Sequence, residues 1–239
     1  MDLKRAIMER ISRRAFLDEP VEKLKLEQLE AAVWECNRAG DINIKIVTDD
    51  PAPFGPKNTY GMISGAKNYL AMIRKAGDPD GDEKLGYYGE SLVLLATGLG
   101  LGTLWVAGTY NKNECNVKVA DDEVLRCVIV FGNVKDRETL KEKALSKTIK
   151  RNTKEIKDLL LSDVMVPNWA VDGVRYALRA PSAQNRQPVR FVCSEDAVLA
   201  KVDETHENDL IDLGIAKLHF EIGAGGGNWE FGNAGIFTK

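Results

Sequence analysis

The sequence predicts a chain that mixes helices with short strands in two halves of related layout. Two observations carry this expectation. Apolar residues recur at helical spacing in several segments, above all Leu85, Tyr88, Leu92, Leu95, Ala96 and Leu99, and extended apolar runs such as Val124–Phe131 follow them. The order helix, strand, apolar helix, glycines and Trp-bearing strand then occurs twice, an internal repeat read from element order and not from residue identity.

At 239 residues and 44% hydrophobic content the chain can bury a sizeable core, as one large domain or two intimately packed halves. Lys+Arg 33 nearly balance Asp+Glu 36, leaving a net charge of -3 with the charges scattered. Such a surface has no global electrostatic pull toward nucleic acid or an anionic membrane. No apolar run approaches the ~20 residues needed to span a bilayer, and residues 1–14 lack the continuous apolar core of a signal peptide. Cys36, Cys115, Cys127 and Cys193 are far apart, and only His206 and His219 could add imidazole, so metal-ligand spacing is absent. A cytoplasmic, reducing location is expected.

Leu3, Ile7 and Ile11 predict an opening helix that ends in Arg10, Ser12, Arg13 and Arg14. If the helix continues, Arg10 and Arg14 share a face; if the chain is extended, Arg10, Ser12 and Arg14 share a side. Either arrangement suits a phosphate, whose oxygens a guanidinium bonds in a fork, and the cluster reads equally as a solvated basic helix end facing its own carbonyls. Leu29, Ala32, Val33 and Cys36 mark a second helix stopped by Gly40, and Ile42, Ile44 and Ile46 alternate as a strand. A Pro-rich loop over 49–58 precedes a short strand at 69–73. The helix over 85–99 is expected to be central, with an extended segment from Leu101 to Thr109.

Gly98, Gly100 and Gly102 invite a dinucleotide-fingerprint reading, but position 103 is Thr and the run closes a helix where that fingerprint opens one. The run Gly223 to Gly227 fails for the same reason. Trp105-Val106-Ala107-Gly108 fits either a strand whose small residues let a flat ligand approach the backbone or ordinary tight packing. After the apolar strand 124–131 comes a lysine-rich segment, 141–157, centred on Lys147, Lys150 and Arg151, followed by a helical Ile156, Leu159, Leu160 pattern. The second half places a helix over 169–177, the loop Ala180-Pro181-Ser182-Ala183-Gln184-Asn185-Arg186-Gln187-Pro188, a strand from Val189, a helix over 210–222 and a strand-like 229–231. Two prolines stiffen this loop around side chains that both donate and accept, which suits a binding loop as well as a polar connector.

The residues Arg10 to Phe16 resemble the N-terminal Arg-Arg-Ser-x-Arg-x-Phe motif of the nitroreductase family of flavoproteins, with Ile11 at a usually basic position. Ala180 to Phe191 is similar to that family's Ala-Pro-Ser-x-x-Asn-x-Gln-Pro-Trp-Arg-Phe motif, with Val189 for Trp, and Gly98 to Gly108 resembles its Gly-Leu-Gly-Thr-x-Trp-x-Gly-Gly segment, with Ala107 for one Gly. The resemblance implies an α+β fold with a mostly antiparallel sheet flanked by helices. In most members these motifs lie in one copy of the fold and two chains dimerise around FMN. Here the Pro-Ser loop comes last and 37–43 lacks it, so a tandem pseudo-dimer in one chain is expected, with halves 1–162 and 163–239 packed as one unit. That arrangement implies a monomer, with a homodimer left open, and one surviving composite FMN site.

By the same resemblance, Arg10, Ser12 and Arg14 serve the phosphate end, joined by Lys150 and Arg151. Pro181, Ser182, Ala183, Asn185 and Gln187 cover the ring, and the backbone of Ala107 and Gly108 lies at its reactive edge. No side chain is implied as acid or base. The implied activity is ping-pong transfer from NADH or NADPH, through FMN, to a small acceptor such as a nitroaromatic or quinone. A flavin-binding sensor or store with little turnover is the alternative, and a fold remnant without flavin is a third.

Overall fold

The structure, a computed structural model, describes residues 2–148, 154–195 and 197–239. In chain order its elements are α1 (Leu3–Glu9), α2 (Lys23–Gly40), β1 (Lys45–Val47), β2 (Tyr69–Lys75), α3 (Gly81–Gly98), β3 (Gly102–Val106), β4 (Glu123–Gly132) and α4 (Leu140–Thr148). The second half adds α5 (Ile156–Leu159), β5 (Leu160–Ser162), α6 (Asn168–Ala177), β6 (Arg190–Cys193), β7 (Val198–Lys201), α7 (Asp209–Ala224), β8 (Asn228–Trp229) and β9 (Ile236–Thr238). Two compact units divide the chain and neither is contiguous. Glu9–Asp78 and Leu92–Thr148 form the first; Asp2–Met8, Pro79–Ser91 and Ile149–Lys239 form the second. The split at 162/163 expected from motif order therefore differs from these units, which exchange α1 and divide α3.

The first unit is built on a four-stranded antiparallel sheet in the order β1-β2-β4-β3. Its strands are apolar on both faces: Tyr69, Ala71 and Ile73 of β2 join Val128 and Val130 of β4 in one core with Phe16, Phe54 and Leu104. Leu70, Met72, Ile129 and Phe131, at the alternate positions, are buried as well. Ile42 and Ile44 were expected in the first strand; they are buried, but the ladder begins only at Lys45. The Asn43 N–H still donates to the Ile73 carbonyl of β2, while on the other side the side-chain amide of Asn37 donates to the Ile44 carbonyl at 2.9 Å and accepts the Ile44 N–H at 2.7 Å. Gly40 is the last residue of α2, and it is Asp41, at φ 50°, that takes the left-handed capping conformation.

The second unit has a five-stranded sheet, β5-β6-β7-β9-β8, antiparallel except where β5 runs parallel to β6. Without β5, its order β6-β7-β9-β8 reproduces β1-β2-β4-β3. Both sheets have a helix before the first strand (α2, α6), a second helix between the second and third strands (α3, α7), and a tryptophan on the strand after that helix, Trp105 and Trp229. The repeat expected from element order is thus a repeat of topology. Helix α7 is apolar around most of its circumference and buries Ile211, Leu213, Ile215, Leu218 and Phe220. Phe220 sits within an aromatic cluster with Phe191, Trp229 and Phe237. Gly214 allows α7 to touch the first half of α3, since a Cβ there would lie 1.9 Å from the Glu83 carbonyl oxygen.

Two further expectations needed correction. The opening helix stops at Glu9, its buried residues are Ala6 and Ile7, and Leu3 and Ile11 are exposed. The Ile156, Leu159, Leu160 pattern forms a single helical turn before the chain extends into β5. Strands β7 and β9 were absent from the sequence reading.

Candidate functional site

Beyond Glu9 the chain is extended, which decides between the two readings of the Arg/Ser cluster. Ser12 bridges Thr103 of β3 and Ala15 bridges Ser64, both in parallel sense, and the Arg13 N–H donates to the Thr103 carbonyl. Side chains therefore alternate, with Arg13 inward and Ser12 and Arg14 on the other side. Arg13 is 5% exposed and structural: its Nε donates to Glu142 Oε1 at 3.2 Å and its Nη1 to the Lys135 carbonyl at 2.9 Å.

Glu142 is the hub of this segment. One carboxylate oxygen accepts the Arg14 N–H at 2.8 Å and the Ala15 N–H at 3.1 Å, while the other accepts the Thr139 N–H and hydroxyl. The Thr139 hydroxyl in turn accepts the Glu142 N–H, so the pair also caps α4 reciprocally. Burial pushes the Glu142 carboxyl up, but the N–H groups of Arg14 and Thr139 and the Arg13 guanidinium outweigh it and hold it at about 2.

With its backbone so held, Arg14 is half-buried, and its guanidinium makes no hydrogen bond among the described residues. Burial lowers its pKa, and Glu142 partly restores it. The Ser12 hydroxyl is exposed and likewise unengaged. Arg14, Ser64, Lys141 and Glu142 contribute to the wall of a small pocket that opens to solvent. Ala107 and Gly108 are exposed just past β3, and a Cβ at Gly108 would meet nothing within 4 Å. Tight packing therefore does not account for that glycine. It does for Gly102, whose Cβ would lie 2.3 Å from Val134 Cγ1. Lys150 and Arg151 lie outside the described residues.

In the second unit, Pro181, Ser182, Ala183, Asn185 and Gln187 are all partly exposed on the segment between α6 and β6. The loop is unusual in its backbone: Gln184, Asn185 and Gln187 have φ of 54°, 56° and 49°. Asn tolerates this region, but each Gln there costs of order 1 kcal/mol or more, so the surroundings must hold the loop. Ser182 Oγ accepts the Gln187 N–H at 2.9 Å. The Gln187 side chain is engaged at both ends, donating to the Leu178 carbonyl and accepting the Lys154 N–H. It braces the loop, while the Asn185 amide makes no hydrogen bond among the described residues. The Lys154 ammonium donates to the Gln187 carbonyl at 2.7 Å; burial, with Arg190 and Arg186 nearby, lowers its pKa.

The first turn of α7 supplies a second brace, which sequence reasoning missed. Asp212 takes the Ala183 N–H on both oxygens, at 3.0 and 3.1 Å, and Arg186 donates to Asp209 at 2.7 Å while lying 3.8 Å from Asp212. Asp209 also accepts the N–H groups of Thr205 and His206. Burial pushes Asp209 up, but Arg186 and these N–H groups bring it below its ordinary value; for Asp212 burial dominates and raises it to about 7. Two acids in the first turn of a mostly apolar helix were the available signal. Thr139-Leu140-Lys141-Glu142, a capping box by spacing, was the signal for Glu142.

The fold matches that of a putative nitroreductase from Thermotoga maritima MSB8 at TM-score 0.66 and 21% identity, over 99% of this chain and 92% of that one. The architecture is therefore the α+β nitroreductase-like fold. An FMN-dependent nitroreductase from Clostridium difficile R20291 is similar over 63% of this chain and 98% of that one, at TM-score 0.46 and 17% identity. No curated protein matches the chain. The sequence profile of the family described as "Putative TM nitroreductase" matches residues 2–224, and the chain belongs to that family. Among the described residues no helix is long and apolar enough to cross a membrane.

Proposed function

We propose that this chain is an FMN-dependent oxidoreductase of the nitroreductase type that uses NADH or NADPH and passes electrons to a small acceptor such as a nitroaromatic or quinone. The observation that carries the reading is the extended 10–14 segment: Arg13 and Glu142 anchor it while Ser12 and the Arg14 guanidinium are left unengaged among the described residues. A guanidinium and a hydroxyl are donors of the kind that the phosphate of FMN requires. Bound FMN would supply the redox chemistry, accepting a hydride and releasing electrons to the acceptor.

The residues bind and orient. Arg10, Ser12 and Arg14 take the phosphate, with Lys150 and Arg151 assigned to it on the resemblance. Ser182, Ala183 and Asn185, with Pro181, are assigned to the ring, and the open backbone at Ala107 and Gly108 to its reactive edge, where amides stabilise negative charge. Gln187 keeps its place in the site by bracing the loop. No side chain is assigned as acid or base. The reading includes a chain sufficient as a monomer, supported by the repeated strand order, and a cytoplasmic setting in which the four thiols, none in a disulfide, stay reduced.

The test begins with the visible spectrum and the FMN content after denaturation, expected at about one per chain. Changing Arg10 and Arg14 together to Ala is expected to release FMN, since one lost charge-assisted pair costs about 1.5–3 kcal/mol, roughly ten- to a hundredfold in affinity. Undiminished FMN affinity in the double variant would overturn the assignment. Stopped-flow reduction by NADH and NADPH then separates an enzyme from a flavin store, in which reduction is slow with both.

A further inference from the structure

Loop 182–187 carries three non-glycine residues in the left-handed region, and such a conformation persists only where its surroundings over-determine it. Bonds within the loop are short-range: the Asn185 N–H to the Ser182 carbonyl, the Arg186 N–H to the Ala183 carbonyl, and the Gln187 N–H to Ser182 Oγ. They shape the turn without attaching it to the core. Lys154 and Gln187 attach its far end. Its near end is attached by α7 alone among the bonds described: the Ala183 N–H is shared by the two oxygens of Asp212, and Arg186 spans Asp209 and Asp212. Asp212 is 3% and Asp209 1% exposed, so water does not compete for these bonds.

We propose that Asp212 is a positioning residue for this loop: its carboxylate, with Arg186 as counter-charge, holds Ala183 and thereby the left-handed turn in the conformation that presents Ser182 and Asn185 to the cofactor. The cofactor part of this statement rests on the flavin reading above; the hold on Ala183 does not. Asp209 has a different part, since it ties Arg186 to the turn at Thr205 and His206.

The charge on Asp212 is the adjustable element. Burial raises its pKa to about 7, against the Ala183 N–H and Arg186, which lower it, and Asp209, which adds to the rise. Two charged pairs on the packed elements are engaged elsewhere. Glu83 of α3 pairs with Lys217 and Asp172 with Arg175 on α6, whereas the His206 side chain is exposed and only its backbone N–H reaches Asp209. Proton uptake on Asp212 removes the charge that Arg186 and the Ala183 N–H face, so the hold weakens as pH falls through about 7. Stability runs the other way. A carboxyl raised in the folded state contributes stability below its unfolded pKa and loses it as pH rises through the folded value. Removing the charge therefore spares global stability at pH 8 while loosening the loop, a combination that a merely structural residue would not give.

The experiment uses the full chain. Amide hydrogen exchange at Ala183, corrected for intrinsic rates, is measured without added flavin from pH 6 to 8, with FMN affinity measured by flavin fluorescence over the same range. In the wild type, Ala183 protection and FMN affinity are expected to fall together as pH drops through about 7. Asp212→Asn is expected to lower protection and affinity by about tenfold at pH 8, to remove their pH dependence, and to melt no lower than the wild type there. Arg186→Gln, which removes the charge that lowers Asp212, is expected to move the midpoint to higher pH. Ala183 protection that is unchanged in Asp212→Asn, or independent of pH in the wild type, would overturn the proposal. Protection that follows the expected course in a protein that binds no FMN supports the hold on the loop and overturns the flavin reading.

Discussion

Single side chains decide which of the recognisable residues are free to bind and which hold the others in place. Arg13 and Arg14 are adjacent and chemically identical, yet extended backbone sends one into the unit and leaves the other half-exposed. Glu142 makes that division stable, because its acceptors meet the N–H groups of Arg14 and Ala15 that no strand partner satisfies. Its carboxyl, depressed to about 2, contributes stability present above its unfolded pKa and lost as pH falls through about 2. Glu142→Gln is expected to cost roughly 3 kcal/mol at pH 7, a drop in thermal midpoint that shrinks toward pH 3, and to weaken FMN binding without touching the cofactor. Circular-dichroism melts across pH and a flavin titration check both. An unchanged melt would remove Glu142 from its place as the hub.

The elements owe their positions to close backbone approaches as much as to apolar periodicity. Gly214 on α7 and Gly86 on α3 face each other's helices so tightly that a Cβ would lie 1.9 Å from the Glu83 oxygen and 2.1 Å from the Ile211 oxygen respectively. Gly214→Ala is expected to destabilise the fold by about 1–3 kcal/mol, and a denaturant midpoint within error of wild type would contradict the contact. Periodicity made α3, α6 and α7 legible in the sequence, because a buried stripe writes itself at 3.6-residue spacing. It could not separate helix from strand at Arg10–Arg14, where both conformations put Arg10 and Arg14 on the same side and only the bridge to Thr103 decides. Strands β7 and β9 were invisible for another reason: four and three residues long, they carry too few alternations to register, and pairing with each other makes them strands. The motif residues were legible as a set. Their sorting into binders and braces was not, since Arg13, Gln187 and Asp212 are assigned by partners far away in the chain.

At the scale of the whole molecule, the chain repeats one topology and then interleaves the copies. The second unit takes residues 2–8 and 79–91 as well as everything from 149 onward, so neither unit can be cut out as a continuous piece. A fragment comprising 149–239 would lack α1 and the first half of α3, and with them the partners of the buried Lys217 and His219 on α7, Glu83 and Glu90. An unpaired buried charge is expensive, so this fragment is expected to be unfolded by circular dichroism and amide spectra, whereas the full chain melts as a folded protein. A folded fragment would show that the interleaving is dispensable.

The Asn37 amide that brackets Ile44 has a consequence away from the candidate site. The outer edge of β6 is covered by β5, and the edge of β1 at the equivalent place in the other sheet has no such strand among the described residues. A bare edge is a template on which foreign chains can grow, and one side chain that mimics both halves of a peptide group closes it at the position next to the ladder. Duplicating a sheet also duplicates its exposure to aggregation, and in this molecule the two copies guard the same edge by different means.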